Sequence, residues 1–235
     1  MNICFPLPQM QWTNTAIGFE QKNDDNGIAG TIFCTGRYSV LYDLCPGGRK
    51  FTAICQYPEL PTGCEVTALA MVLGFYGQDV DKCELSDKYL DKGKIGETDF
   101  RTAFPGDPHS IHGFGCYAPA VVNCANRFLI ARKSLLRAAE IKGRKLSDLM
   151  QYCQRGVPVL IWCTIGLRPG CYTKVWRING ECLRWYAPEH CVVLLGEKDG
   201  KAVIADPRTG EIVFCDKDLL EKRYDELFRQ AAVIF

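Results

Sequence analysis

The stretch that decides the fold runs from Pro58 to Leu73 and reads PELPTGCEVTALAMVL. Its two prolines and Gly63 disfavour a helix before Cys64, because proline restricts its own backbone and the residue before it, and glycine loses much conformational entropy in a helix. After Cys64 the apolar residues recur at helical spacing, and Gly77 is a suitable C-cap. The pattern predicts an apolar helix that begins at or just before Cys64.

A cysteine at the start of a helix is a candidate nucleophile. Unpaired N–H groups and the positive end of the helix dipole favour the thiolate there, and with a cationic partner the pKa can fall from about 8.5 into the range of about 3.5 to 7.5. Taken alone, Cys64 is more simply explained as one buried cysteine among fourteen. A nucleophile also needs a base and an orienting group.

Composition excludes several classes of protein. The chain has 235 residues, 47% of them hydrophobic, so it can bury a core as one large domain or a compact two-lobed one. Its formal charge is +1, and basic residues do not cluster with aromatic ones, so we expect no nucleic-acid partner. The longest apolar runs, such as Val157–Cys163, are far shorter than the roughly 20 residues that span a bilayer.

The cysteine spacing indicates reduced thiols. No C-x-x-C pair occurs among the fourteen cysteines, which argues against a disulfide framework and against structural zinc. The first fifteen residues contain no Lys or Arg and lack the apolar region of a secretory signal. We therefore expect a cytoplasmic protein, or a secreted one if an export signal has been removed.

Periodicity and turn residues predict a β-rich extension over residues 1–50 and a main domain over residues 51–235. The predicted strands of the extension are Gly30–Cys34 and Tyr38–Tyr42. The predicted helices of the main domain are the one at Cys64, Lys82–Lys92, Pro119–Leu129, one capped by Ser147, and 216–228. The predicted strands are 157–164, 174–178, 181–186, 190–197, 201–205, 212–215 and 231–235. Helices first and antiparallel strands second indicate the α+β class, with the Cys64 helix packed against the sheet.

Three histidines are available as a base for Cys64. His190 opens the apolar run HCVVLLG, where an imidazole needs a polar partner, so it is the best candidate. The alternative is a core histidine bonded to a carbonyl. His109 and His112 lie in a loop with Asp107, and without further ligands we expect neither a metal site nor a cofactor.

Asp206 is the candidate orienting carboxylate. If the strands at His190 and Ala205 pair through a turn at Asp199-Gly200, the side chains of His190 and Asp206 lie near the same end of neighbouring strands. Ordinary turn chemistry before Pro207 is the alternative explanation of this aspartate.

A thiol, an imidazole and a carboxylate together can carry out nucleophilic acyl transfer. The side-chain amide of Gln56 could donate to the oxyanion beside the N–H of Cys64, and such a donor contributes about 2.7 to 4 kcal/mol. Glu65 is interpreted as a structural residue of the first helical turn, because its charge would oppose a thiolate.

In order and spacing, these residues resemble the papain-like cysteine peptidases, within them the family related to bacteriocin leader-processing peptidases. The resemblance covers about residues 52–235 and rests on PTGCEVTALAM (61–71), GFGCYAP (113–119), GVPV (156–159), EHCVVLLG (189–196) and Asp206-Pro207. It implies a papain-like fold with Cys64 as nucleophile, His190 as base, Asp206 as its orienting group and Gln56 as oxyanion donor. Leader-processing members usually have an acidic residue before the cysteine and glycine after it, where this chain has Gly63 and Glu65, so specificity for double-glycine leaders is not implied.

The resemblance implies a cysteine peptidase that cleaves a peptide or isopeptide bond in a peptide or protein substrate, without a cofactor. Two alternatives stay open at this stage. One is a catalytically silent module that binds peptides, and the other is a thiol acyltransferase with the same triad. The sequence does not determine the oligomeric state or the substrate.

Overall fold

The computed structural model describes residues 40–43 and 50–235. The helices are α1 (Cys64–Phe75), α2 (Lys82–Glu84), α3 (Ala118–Ala131), α4 (Leu146–Gln154) and α5 (Lys217–Glu226), with a π-helical turn at Leu85–Tyr89 and a 3₁₀ turn at Ile165–Leu167. The strands are β1 (Val40–Asp43), β2 (Lys50–Ala53), β3 (Lys92–Gly93), β4 (Phe104–Pro105), β5 (Ala138–Glu140), β6 (Val159–Thr164), β7 (Cys171–Ile178), β8 (Glu181–Ala187), β9 (Glu189–Lys198), β10 (Lys201–Asp206), β11 (Glu211–Asp216) and β12 (Ala231–Ile234). No helix in these ranges is long and apolar enough to cross a membrane.

A six-stranded antiparallel sheet forms the centre of the molecule, in the order β11-β10-β9-β6-β12-β5. Strand β6 is buried along its whole length, because helices cover both faces of the sheet. Three two-stranded sheets surround it: β1 with β2, β3 with β4, and β7 with β8. The mixed helical and antiparallel architecture confirms the predicted α+β class.

The two faces of β9 belong to different cores. Cys191, Val193 and Leu195 pack in the core that contains α1, whereas Val192 and Leu194 pack in the core that contains α4 and α5. This follows from the two-residue period of a strand, since alternate side chains point to opposite faces. The side chain of His190 therefore lies on the face opposite α1.

The β9–β10 hairpin confirms the predicted strand pairing. Lys198 pairs with Lys201 across a two-residue turn, in which Asp199 and Gly200 have φ angles of 52° and 76°. Both angles are positive, as the type I′ turn requires. The hairpin places the first residues of β9 beside the last residue of β10.

Some predicted elements differ from the structure. Ser147 does not cap α4; the helix begins one residue earlier, and the N–H of Lys145 donates to Asp148 Oδ2 at 3.2 Å. The predicted second helix ends before Leu90, where the backbone becomes extended. The edge strand β5 has only three residues and no strong periodicity, so the sequence does not reveal it.

The cysteines also differ in part from the expectation of reduced thiols. Cys171 is disulfide-bonded, whereas ten other cysteines of the described residues are free. The predicted strand Gly30–Cys34 lies outside the described residues. Strand β1 pairs with β2 across the predicted division at residue 50, and that division stays a prediction.

Candidate active site

Helix α1 places the Cys64 thiol at its first turn, as the sequence predicts. Gly63 precedes the helix, and a Cβ atom at this position would lie 2.8 Å from the Cβ of Leu60. The close approach favours glycine here and lets the preceding loop fold tightly against the helix start. The side chain of Cys64 points inward, and the residue is only 7% exposed.

The Cys64 thiol makes two hydrogen bonds. It donates to Glu65 Oε2 at 3.3 Å, and it accepts from the N–H of Cys191 at 3.4 Å. Among residues 50–235 no hydrogen bond joins the sulfur to the His190 ring. The thiol is thus in contact with the backbone of β9, one residue beyond the candidate base.

The surroundings of Cys64 oppose its ionisation. Burial raises the pKa of the thiol well above its ordinary value, the carboxyl groups of Glu65 and Glu189 raise it further, and the N–H of Cys191 lowers it in part. The sequence led us to expect a lowered pKa at a helix start. That expectation is wrong for this arrangement, because desolvation and two neighbouring acids outweigh the dipole.

His190 and Asp206 form the predicted pair. His190 Nε2 lies 2.6 Å from Asp206 Oδ1, and the same oxygen accepts the N–H of Arg208 at 2.8 Å. Burial alone would raise the pKa of Asp206, but His190 and Arg208 outweigh it and lower the pKa below its ordinary value. An ionised carboxylate only accepts hydrogen bonds, so Nε2 carries the proton and Nδ1 is left as the basic nitrogen.

A cavity of about 150 Å³ opens beside this pair. Its lining includes His190 and Asp206 together with apolar side chains such as Leu167 and Ile204. Cys64 lies outside this lining and approaches β9 from the other face. The structure therefore brings His190 and Asp206 into contact. Cys64 contacts the backbone of the next residue, Cys191, and not the His190 ring.

Gln56 is buried beneath the loop that leads to Cys64. Its Nε2 donates to the carbonyl of Pro61 at 2.9 Å, while its backbone N–H donates to the carbonyl of Pro207 at 2.7 Å. Its Oε1 atom has no partner within the described residues. Gln56 thus connects the loop before the thiol to the segment after Asp206, and one amide hydrogen is left for a further acceptor.

Two buried glutamates complete the surroundings of the thiol. Glu65 Oε1 accepts the N–H of Cys116 at 2.5 Å. Burial raises the pKa of Glu65 to about 7, although donors, among them the Cys116 N–H and the Cys64 thiol, lower it in part. Glu189 is 7% exposed, its Oε1 atom has no partner in the described part of the chain, and burial together with the Glu65 charge raises its pKa well above the ordinary value.

Sequence reasoning assigned Glu65 a structural role and overlooked Glu189. A signal was present for both: each is a charged residue inside a run patterned for burial, one in an apolar helix and one at the start of an apolar strand. Burial without a cationic partner raises the pKa of an acid, so the acid tends to stay protonated.

Two groups of side chains contain residue types that bind cations. Oxygen and sulfur atoms of Cys64, Glu65 and Glu189 lie within 4.8 Å of one another. Burial raises the pKa of all three groups and so disfavours the ionised forms that bind a metal, and we assign no metal to them. His109 Nε2 lies 2.9 Å from Asp87 Oδ1. Within residues 50–235, no cluster of three or more possible metal ligands includes a residue of the His109 loop.

Comparison with known proteins shows the family to which this chain belongs. The model of a family described as "Peptidase_C39 like family" matches residues 49–232. The uncharacterized protein YvpB of Bacillus subtilis (strain 168) is 28% identical over 181 residues, which are 75% of this chain and 70% of YvpB.

Two crystal structures are also similar to this chain. The structure of a presumed C39-like peptidase from Bacillus anthracis has a TM-score of 0.71 at 26% identity, over 85% of this chain and 98% of that one. The peptidase domain of Streptococcus ComA, a bifunctional ABC transporter involved in a quorum sensing pathway, has a TM-score of 0.44 at 15% identity, over 79% of this chain and 96% of that domain. This low similarity adds nothing to the assignment.

Proposed function

Because the chain belongs to the Peptidase C39-like family, we propose that it is a cysteine peptidase that cleaves a peptide or isopeptide bond through Cys64, His190 and Asp206. The observation that carries the proposal is the His190–Asp206 pair at 2.6 Å, with the Cys64 sulfur 3.4 Å from the nitrogen of the residue after His190. The proposed nucleophile lies on one face of β9 at its start, and the proposed base and orienting carboxylate lie on the other.

The proposed reaction requires the Cys64 thiol to leave Glu65 and to meet His190 Nδ1 at the start of β9, where the thiol and the ring now lie on opposite faces of the strand. The imidazole then accepts the thiol proton, and the thiolate attacks the carbonyl carbon of the scissile bond. His190 returns the proton to the departing amine, which leaves an acyl group on the sulfur. Water, deprotonated by the same imidazole, releases the acid and restores the thiol.

Two donors are proposed for the oxyanion of the intermediate. One is the backbone N–H of Cys64 at the start of α1, where the helix dipole also favours negative charge. The other is the Nε2 hydrogen of Gln56 that Pro61 does not use. Asp206 stays ionised throughout and holds the ring.

The test is hydrolysis of a mixture of fluorescence-quenched peptides by the full chain. We expect Cys64→Ala and His190→Ala each to fall to the rate of buffer alone. Cys182→Ala, which removes an exposed thiol on β8, is the matched control and should keep the wild-type rate. Cleavage that survives Cys64→Ala would rule out the proposed nucleophile.

An added amine separates hydrolysis from acyl transfer. Glycine amide included in the assay should change the products little if water resolves the intermediate. Incorporation of glycine amide in preference to water would assign the chain to the acyltransferases. Binding of the peptides to the chain without cleavage or modification would indicate a catalytically silent module.

A further inference from the structure

The carboxyl group of Glu65 is the hydrogen-bond acceptor of the Cys64 thiol. The S–H group points to Glu65 Oε2 at 3.3 Å, and the sulfur accepts the N–H of Cys191 on its other side. Both partners are fixed, because Glu65 is 1% exposed and Cys191 lies in a central strand. The thiol is therefore held in one orientation, away from the ring of His190.

Glu65 is itself held in place from the opposite side. Its Oε1 atom accepts the N–H of Cys116, and the carbonyl of Cys116 accepts the indole N–H of Trp162 at 2.8 Å. A Cβ atom on Gly115 would lie 2.7 Å from Glu65 Oε1 and 2.5 Å from Glu189 Oε2. The two carboxyl groups thus converge on a backbone segment that only glycine lets approach so closely.

Burial of the Glu65 and Glu189 carboxyl groups determines how many protons the two share. Two carboxylates that share an apolar site cannot both ionise, so one holds a proton at neutral pH. Glu189 has a buried Oε1 atom without a partner in residues 50–235, whereas Glu65 receives donors on both oxygens. Donors stabilise a carboxylate, so Glu65 is the member that ionises first and Glu189 is the one that stays neutral.

The titratable groups that face Glu65 come from two elements and one loop. They are Cys64 on α1, Glu189, His190 and Cys191 on β9, and Cys116 before α3. His190 favours the ionised form of Glu65, and burial opposes it.

We propose that Glu65 is a positioning residue for Cys64: its carboxylate holds the thiol protonated and turned away from His190, and uptake of one proton by Glu65 releases the thiol for reaction. The inference rests on the proposed function, because it takes Cys64 as the nucleophile. The released thiol transfers its proton to the His190 ring when the two groups meet at the start of β9. The only species taken up from solvent in this step is the proton that Glu65 binds.

The test measures the thiol directly and uses no peptide. The second-order rate of alkylation of Cys64 by iodoacetamide is followed by mass spectrometry as a function of pH, in the full chain and in Glu65→Gln. Glutamine keeps the shape and the acceptor for Cys116 but removes the charge. We expect Cys64 in Glu65→Gln to react about tenfold faster near pH 8, which corresponds to a thiol pKa lowered by about one unit.

Two variants are matched controls. Glu97→Gln removes an exposed carboxylate and should leave the rate at Cys64 unchanged. Glu189→Gln mimics the neutral acid that Glu189 already is, so it should change the rate near neutral pH by less than about twofold. A slower rate in Glu65→Gln would overturn the inference and assign Glu65 the role of a base, and an unchanged rate would overturn it as well.

The wild-type chain provides a test that does not depend on folding of the variants. The alkylation rate of an ordinary thiol rises about tenfold for each pH unit below its pKa. If Glu65 holds the thiol, the rise across about pH 6 to 8 should be clearly less than that, because ionisation of Glu65 strengthens its hold on the thiol as the pH increases. A full tenfold rise per unit through this range contradicts the inference.

These results are separable from those of the peptidase assay. A chain that cleaves no peptide but alkylates faster in Glu65→Gln keeps the inference about the thiol and loses the proposed function. A chain that cleaves peptides through Cys64 with the same alkylation rate in Glu65→Gln keeps the function and loses the inference. For an active enzyme, kcat/KM of Glu65→Gln should extend to higher pH than that of the wild type, while KM stays unchanged.

Discussion

His190 Nε2 and Asp206 Oδ1 lie 2.6 Å apart, between the start of one strand and the end of its neighbour. The aspartate is held from a second side by the N–H of Arg208. A carboxylate fixed in this way fixes the ring orientation and the tautomer, so that Nδ1 is the basic nitrogen. This relationship supports the proposal that His190 is the base for Cys64.

The first prediction concerns Asp206. Asp206→Ala should lower kcat/KM by about 10²-fold or more, because the ring loses its preferred tautomer and its orientation. The measurement is hydrolysis of a cleaved peptide across a range of pH. Asp79→Asn, which changes an exposed aspartate, should leave kcat/KM unchanged. Full activity in Asp206→Ala would show that His190 does not depend on this carboxylate.

The second prediction concerns Gln56. Gln56→Ala should lower kcat by about 10²-fold with little change in KM if the amide stabilises the oxyanion only in the transition state. Since the same amide also braces the loop through Pro61, the thermal midpoint is measured in parallel. Loss of stability with kcat intact would assign Gln56 to the loop alone. Gln78→Ala, a less buried glutamine beyond α1, is the control.

The third prediction concerns stability against pH. Burial raises the pKa of Glu65 from 4.5 in the unfolded chain to about 7 in the folded one. Between these values the unfolded chain has lost a proton that the folded chain retains, so the free energy of unfolding falls as the pH rises through this range. The fall attributable to Glu65 is up to about 3 kcal/mol.

The measurement is urea unfolding at several pH values between about pH 4.5 and 7.5. In Glu65→Gln this part of the pH dependence should be absent. Asp206 has the opposite effect on the free energy of unfolding, and at lower pH. Because its pKa is lowered in the folded chain, its stabilising contribution is lost as the pH falls below the ordinary pKa of an aspartate. An unchanged pH dependence in Glu65→Gln would contradict a buried, protonated Glu65.

The fourth prediction concerns two glycines. Gly115→Ala should destabilise the fold by about 1 to 3 kcal/mol, because the new methyl group would overlap with both Glu65 and Glu189. Gly74→Ala is the matched control: it lies within α1, has no atom within 4 Å of the new Cβ, and should stabilise the fold by about 0.5 to 1 kcal/mol. Equal effects of the two substitutions would show that the segment at Gly115 is not closely packed against the acids.

Much of the fold could be predicted from local pattern. The α1 start at Cys64 and the β9–β10 hairpin depend on proline, glycine and short-range periodicity, and both are found as predicted. The edge strand β5 and the exact start of α4 depend on tertiary pairing and on a cap at Lys145, which local pattern does not specify.

The site could be predicted only in part. The Asp199-Gly200 turn predicts that β9 and β10 pair, but the contact of His190 with Asp206 also depends on a shift of register between Val203 and Ile204, which places the two side chains on the same face. The orientation of the Cys64 thiol could not be predicted, because it depends on Glu65 and on Cys191, a residue 127 positions away in the chain. The pKa of a thiol depends on the groups that surround it, and those groups are known only from the folded structure.

The most direct test of the account compares the alkylation rate of Cys64 by iodoacetamide in the wild type and in His190→Ala, measured by mass spectrometry near pH 7. The account predicts a rate about tenfold or more lower in His190→Ala, because the imidazole is the group that takes the thiol proton. The exposed thiol of Cys182, read from the same digests, should react equally in both proteins. An equal rate at Cys64 in the two proteins would contradict the claim that His190 activates this thiol.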